Sequence, residues 1–450
     1  MPRPAEPERP PSPAVTGGAG ADPLAALLAG RFRDPEDGRP LTVPPLRVVL
    51  ADSLAGREAA LVEELGLGPR LAVVLDPDTE RALGGRVVAA LARPRPPEVL
   101  RLPERPRADL ATGERILREA RGCSGLVAVG AGTVNDLCKF VAARLGRPYA
   151  VFATAPSMNG YVSGNAALTV DGHKRSLSAV PPAGAFFDLE VLAAAPVRLI
   201  RAGLGDSLCR STAQRDWLLS HMLLGTPYRE APFALLAADE PELLAGAAAL
   251  VTGDREAVRR LVRTLVLSGL GMTLCGGSQP ASQGEHLLGH YAEMMAPARA
   301  PAPLHGEQIA VTTLTMARLQ ERMLAAGPPE LRPTTIRRAD LEAHFGVELG
   351  RSCWEAFAPK FLDGRRAAEL TERLREIWPH LTARLSAVAV PPARLEAVLR
   401  AAGAPRRPAD LGWSDDFHRN ALRYARTLRD RFTFLDLAAE SGVAESLAAA

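Results

Sequence analysis

Between residues 23 and 200 the apolar positions fall into short continuous blocks. Each block is followed by a longer stretch in which apolar residues recur every three or four positions. LRVVLA (46–51), RLAVVLD (70–76), LVAVG (126–130) and PYAVFAT (148–154) are such blocks, and runs of this length bounded by turn residues predict buried strands. Helical spacing fills 56–68, 79–92 and 135–146. Strand, helix and strand within about thirty residues form the parallel crossover unit, and its repetition predicts an α/β domain with a mostly parallel sheet. Beyond about residue 195 strand signals nearly vanish. Helical runs at 206–224, 230–251, 255–275, 284–296 and 305–326 take over. The expected organisation is a leader at 1–22, disordered by its Pro, Gly and Ala content, an α/β domain at 23–200 and an all-α domain at 201–450.

Composition narrows the classes. A chain of 450 residues, 47% hydrophobic, can bury more than one core. Net charge is only +3, and Arg far outnumbers the three lysines, Lys139, Lys174 and Lys360. No basic stripe is interleaved with aromatics, which argues against a nucleic-acid partner. The five cysteines are dispersed with no C-x-x-C pair, as expected of free thiols in a reducing compartment. No apolar stretch reaches the length of a membrane span, and the first residues lack the apolar core of a secretion signal. The expected location is the cytoplasm, without membrane insertion.

Candidate chemistry begins at LVAVGAGTVNDLCKF. Gly130 and Gly132 sit between a buried strand and a helix start, where close backbone approach and unpaired N–H groups suit a pyrophosphate. Asn135 replaces the third glycine of G-x-G-x-x-G, so a plain strand-to-helix turn remains the alternative. Asp76, at the end of a neighbouring strand, is placed to hold an adenosine ribose, or else is a turn aspartate. ATAPSMNGYVSGNAALT follows the next strand and offers the hydroxyls of Thr154, Ser157 and Ser163. Ligands of open α/β sheets bind beyond the carboxyl ends of such strands.

Four further residues have metal-ligand chemistry. Asp206 is expected at a helix start, where an N-cap is the simpler role. In QGEHLLGHYAEMM, His286 and His290 lie one helical turn apart on one face. Spacing alone leaves open whether both, one or neither ligates. His305 opens another predicted helix. Asp206, His286 and His305 would then project from three helix first turns. One Asp and two His leave open positions on a zinc-like ion, as catalytic sites do.

The stretches GAGTVNDLCKF, ATAPSMNGYVS, GLGDSLCRSTAQRDW, GEHLLGHYAEMM, LHGEQIAVTTL and RDRFTFLDLA, in this order, resemble the sn-glycerol-1-phosphate dehydrogenases, including the bacterial AraM-type members. That family lies in the superfamily of iron-containing alcohol dehydrogenases and dehydroquinate synthases. The resemblance implies a dehydroquinate-synthase-like fold, with 23–200 as the NAD(P)-binding domain, 201–450 as the metal- and substrate-binding domain, and the active site between them. It implies that Gly132, Thr133, Val134, Asn135 and Asp136 hold the pyrophosphate. Thr154, Ala155, Pro156, Ser157 and Ser163 would line the nicotinamide side. Asp206, His286 and His305 would bind zinc, with nickel or iron as alternatives, and Asp206 would serve catalysis and substrate as well. His290 would contact substrate as the catalytic proton relay, as would Asn159 by binding. The implied reaction is hydride transfer between NAD or NADP and a phosphorylated triose or polyol, by a homodimer. Two departures stand out: Asn159 where the family usually has Asp, and Arg210 where Lys is common. The alternatives are another polyol or alcohol dehydrogenase of this superfamily, a dehydroquinate-synthase-like cyclase, or a non-catalytic NAD-binding protein. Lys174 and Arg175 could grip a substrate phosphate, but a solvated turn is the expected reading.

Overall fold

The computed structural model describes residues 22–296 and 302–443; all but the last residue of the expected leader lies outside them. Strands β1 (Arg47–Ala51), β2 (Leu71–Leu75), β3 (Glu98–Arg101), β4 (Gly125–Gly130), β5 (Tyr149–Ala153) and β8 (Gly184–Asp188) form one sheet in the order β1-β8-β5-β4-β2-β3. Every pairing in it is parallel. Ala72 and Val74 of β2 face one core with Ala128 of β4, while Val73 and Leu75 face the other with Val127 and Val129. Both faces are covered, so the strands read as continuous apolar runs and not as alternation.

The first of those cores also takes in Leu204, Leu265, Leu270 and Leu314 from helices Val197–Leu208, Arg255–Cys275 and His305–Ala325. The helical half therefore packs directly on the sheet. A third core, around Leu218, Leu287, Leu370 and Trp378, belongs to the helical half alone. The expected boundary at 200/201 falls inside the helix Val197–Leu208, which begins directly after Pro196.

Two expectations need correction. Residues 165–178 are not a polar loop and a solvated turn but an antiparallel hairpin, β6 (Asn165–Val170) and β7 (His173–Ser178). Its turn residues Asp171 and Gly172 both have positive φ, 49° and 79°, the geometry that selects Asp-Gly. The hairpin reaches into the helical half: His173 contacts the Ser352 hydroxyl at 2.9 Å, and Arg175 donates to the same oxygen at 2.7 Å. Lys174 pairs with Glu293 at 3.2 Å.

Asp206, secondly, is not at a helix start but in the last turn of Val197–Leu208. Gly203 and Gly205, which look like helix breakers in sequence, lie inside this helix because backbone crosses against them. A Cβ at Gly203 would sit 1.7 Å from the Pro156 carbonyl oxygen, and one at Gly205 would sit 2.2 Å from that of Gly306.

Candidate functional site

The sheet order brings the carboxyl ends of β2, β4 and β5 side by side, with Asp76, Gly130 and Ala153 at or just past them. The helix Gly132–Leu145 starts immediately after β4, so the N–H groups of Gly132, Thr133 and Val134 have no carbonyl within the helix to bond. A Cβ at Gly132 would meet the Met158 sulfur at 3.1 Å, which shows how closely the next loop approaches. The side chains further along this helix are committed inward. Val134 is core. Asn135 donates to Tyr161 O and accepts from the Tyr149 hydroxyl, both at 3.3 Å. Asp136 accepts from Ala167 N at 3.2 Å and pairs with Lys139. The surface offered to a phosphate here is backbone N–H together with the half-buried Thr133 side chain.

Lys139 is fully buried, and its ammonium is satisfied by Gly160 O at 2.6 Å, Asn165 O at 2.9 Å, Ser163 Oγ at 3.2 Å and Asp136 at 3.3 Å. This one cation fastens the 154–165 loop to the Gly132 helix. Ser163 is spent in that cage. Tyr161 donates to Ala155 O at 2.5 Å, further fixing the loop. Thr154 N bonds Gly130 O at 3.2 Å, tying the loop to the glycine turn. Pro156 is pressed against Gly203 of the helical half. Asp76 caps its own following turn, accepting from Asp78 N and Thr79 N at 2.9 and 3.0 Å; its second oxygen has no bond among the described residues.

Against the 154–165 loop, Asp206 is 1% exposed, and its two oxygens differ. Oδ2 accepts the Asn159 backbone N–H at 2.7 Å, while Oδ1 is buried with no hydrogen-bond donor. Facing Oδ1 are His286 Nε2 at 3.5 Å and His305 Nε2 at 3.8 Å. Each imidazole is oriented through its other nitrogen: His286 Nδ1 lies 3.0 Å from Glu285, and His305 Nδ1 lies 2.6 Å from Glu293. An orphaned carboxylate oxygen opposite two imidazole nitrogens, each backed by a carboxylate, fits a divalent cation with its usual supporting carboxylates. The sequence-level metal set is thus one spatial cluster, although only His286 and His305 come from first turns. Cys209, one turn beyond Asp206, was not foreseen. Its sulfur lies with the Asp206 and His286 ligand atoms inside 4.8 Å, and it also donates to Ala281 O at 3.3 Å. The i, i+3 spacing from Asp206 was the available signal. Arg210 points away, paired with Glu240.

Glu285 is more than a first-turn carboxylate. It is fully buried, accepting from Gln283 N at 2.7 Å and the Thr212 hydroxyl at 2.9 Å besides orienting His286. Asp216 beneath it accepts Gly284 N at 2.9 Å and Phe434 N at 3.0 Å, and burial followed by the nearby Glu285 raises its pKa to about 7. The start of the His286 helix is therefore held at several atoms. Replacing Glu285 with Gln should keep the fold and lower metal affinity by about 10- to 100-fold, read by chelator competition. Unchanged affinity would show that the carboxylate does not tune His286.

Electrostatics separates the three histidines. Burial opposes the charge on His286, but the facing Asp206 carboxylate and the Glu285 carboxylate outweigh this and raise its pKa to about 9. Burial also disfavours the Asp206 anion, yet His286 and His305 hold its pKa below the usual value. His290 has no carboxylate at its ring; burial, then Arg429, push its pKa well below the usual value. Its Nδ1 lies 3.4 Å from the Arg429 guanidinium. Because Arg can only donate, Nδ1 accepts and the single proton sits on Nε2. The His290 ring is 5.7 and 5.8 Å from those of His286 and His305. Asn159 lies at the same place, its amide 3.7 Å from the Cys209 sulfur.

Comparisons with known proteins show the family and the fold. Residues 49–196 match the family described as iron-containing alcohol dehydrogenase. The glycerol-1-phosphate dehydrogenase (NAD(P)+) of Thermococcus kodakarensis is 32% identical over 295 residues, 63% of this chain and 83% of that relative. The protein of the same name from Bacillus licheniformis is 28% identical over 414 residues, 91% of this chain and 92% of its own length. Among solved structures, a probable glycerol dehydrogenase from Sinorhizobium meliloti 1021 superposes with a TM-score of 0.60 at 20% identity, over 90% of this chain and 97% of that one. That likeness speaks for the fold alone. No helix among the described residues is long and apolar enough to cross a membrane.

Proposed function

The chain belongs to the glycerol-1-phosphate dehydrogenase family of NAD(P)-dependent oxidoreductases, and we propose that its reaction is the reversible reduction of dihydroxyacetone phosphate to sn-glycerol 1-phosphate. The observation that carries the reading is the orphaned Asp206 Oδ1 facing two carboxylate-backed imidazole nitrogens, against the loop that is tied to the glycine turn.

Asp206, His286 and His305 would hold the ion, zinc before nickel or iron(II) for an O/N/N set. When bound, the ion supplies Lewis acidity toward the substrate oxygen and NAD(P)H supplies the hydride. The remaining work is done by the chain. Glu285 and Glu293 fix the imidazole tautomers, so both Nε2 lone pairs point to one place. The first-turn N–H groups of the Gly132 helix take the pyrophosphate. The 154–157 stretch, pinned by the Tyr161 hydroxyl on Ala155 O and by Thr154 N on Gly130 O, forms the wall beside the nicotinamide and limits its freedom, an orientation effect. His290, neutral with its proton on Nε2, donates to a substrate oxygen and relays a proton there. Asn159 adds an uncharged amide beside the anionic substrate.

The test is an oxidation screen of NADH and NADPH against dihydroxyacetone phosphate, dihydroxyacetone and simple aldehydes, with zinc- and nickel-loaded protein. Turnover of dihydroxyacetone phosphate above the other carbonyls is the expected result. Activity confined to unphosphorylated polyols or aldehydes would overturn it. Phosphate release without net NADH change would point to a cyclase.

A further inference from the structure

The reading above names no group for the substrate phosphate. Lys174, the nearest lysine to the cluster, is already paired with Glu293. Arg429 is different. It is half-buried and has no carboxylate partner among the described residues; its only hydrogen-bond contact is His290 Nδ1, at 3.4 Å. A guanidinium has five N–H donors, and holding one away from water without a counter-charge is costly. Two acids act on it through space without a hydrogen bond: the exposed neighbour Asp430, and Glu293, which is already engaged by His305 and Lys174.

The segment carrying Arg429 is braced to keep it there. The backbone at Arg429 is extended, with φ −150° and ψ 165°, and Arg431 follows two residues later. Arg431 donates to Ser282 O and, at 2.8 Å, to Ser278 Oγ, at the entry to the His286 helix. The buried Lys360 donates to Arg431 O at 2.6 Å. Arg431 too hydrogen-bonds only neutral acceptors, so Asp430 between the two guanidiniums, which is exposed and makes no hydrogen bond to either, is the carboxylate they share along the chain.

We propose that Arg429 grips the phosphate of the substrate and sets the preference for a phosphorylated triose over its free sugar. The proposal rests on the functional reading above. Dihydroxyacetone phosphate carries its carbonyl and its phosphate on adjacent carbons. One molecule can therefore extend from the Asp206 cluster past His290 to Arg429. The phosphate gives that guanidinium charge-assisted, bidentate hydrogen bonds. His290 is then held between the reacting oxygen and the phosphate grip.

The test compares Arg429→Ala and Arg429→Lys with the wild-type holoenzyme on dihydroxyacetone phosphate and on dihydroxyacetone. In Arg429→Ala the ratio of the two kcat/KM values should fall on the order of 100-fold, mainly through KM for the phosphorylated substrate. Arg429→Lys should recover part of the ratio. Inorganic phosphate should compete with dihydroxyacetone phosphate in the wild type and weaken in the Ala variant by a similar factor. Equal losses on both carbonyls would overturn the proposal, because Arg429 would then act through His290. Undiminished inhibition by phosphate would overturn it as well. Should the Ala variant fail to bind NADH, as a misfolded protein would, Arg429→Gln against Arg429→Lys carries the same comparison. If wild-type protein reduces no dihydroxyacetone phosphate, the functional reading fails by itself. Arg429-dependent inhibition by phosphate of another carbonyl would then still mark the anion site.

Discussion

Alanine at His286 is expected to strip the protein of its metal and to lower kcat/KM by at least about 1,000-fold, the scale of losing Lewis-acid stabilisation of a developing alkoxide. Alanine at His290 is expected to retain the metal and damage turnover alone. The two side chains sit one turn apart on the same helix and are both buried, so sequence spacing and exposure do not separate them. Their partners do. His286 Nε2 faces the orphaned Asp206 oxygen at 3.5 Å, with Glu285 behind the ring. His290 faces a guanidinium, which repels a cation and leaves the proton on the nitrogen turned away from it. His305→Ala should follow His286→Ala, because Glu293 supports it in the same way. Metal content by elemental analysis, beside activity, decides the matter. A His290 variant that loses metal while the His286 variant keeps it would reverse the assignment.

Much of this was legible in the sequence, and the failures have physical causes. β1, β2, β4 and β5 are apolar runs bounded by turn residues, and both ligand loops follow such runs. β3, EVLR, was missed because it is a short edge strand with only Leu100 buried. The β6–β7 hairpin was missed although its Asp171-Gly172 turn was in plain view; the small polar residues before it suggested a loop. Asp206 was placed at the wrong end of its helix because Gly203 and Gly205 look like breakers, whereas close backbone crossing is what requires them there. Glu293 and Arg429 were invisible for a different reason. Glu293 lies 12 positions from His305 and Arg429 lies 139 from His290. Nothing local marks a carboxylate or guanidinium whose partner arrives only through tertiary packing.

Alanine at Gly306 is expected to be among the most damaging single-methyl changes in the molecule. A Cβ there would lie 1.9 Å from the Ala202 carbonyl oxygen and 2.9 Å from its Cα. Reaching ordinary contact requires the helices carrying Asp206 and His305 to separate by about 1.5 Å, and overpacking of this kind costs about 3 kcal/mol or more when backbone, not a flexible side chain, is in the way. The neighbouring Gly205 cannot relieve it, since its own Cβ position is 2.2 Å from Gly306 O. The same separation would widen the 3.8 Å gap between Asp206 Oδ1 and His305 Nε2. The variant should therefore lose thermal stability and metal together, even though no ligand has been changed. Gly85→Ala is the matched control. It is an exposed helical glycine whose Cβ would meet only Glu80 O, at an ordinary 3.5 Å, and it should be neutral or stabilising by about 0.5 kcal/mol. Melting curves and metal content of the two variants provide the measurement. A Gly306→Ala protein that melts like the Gly85→Ala control and keeps its metal would show that this helix crossing does not set the geometry of the site.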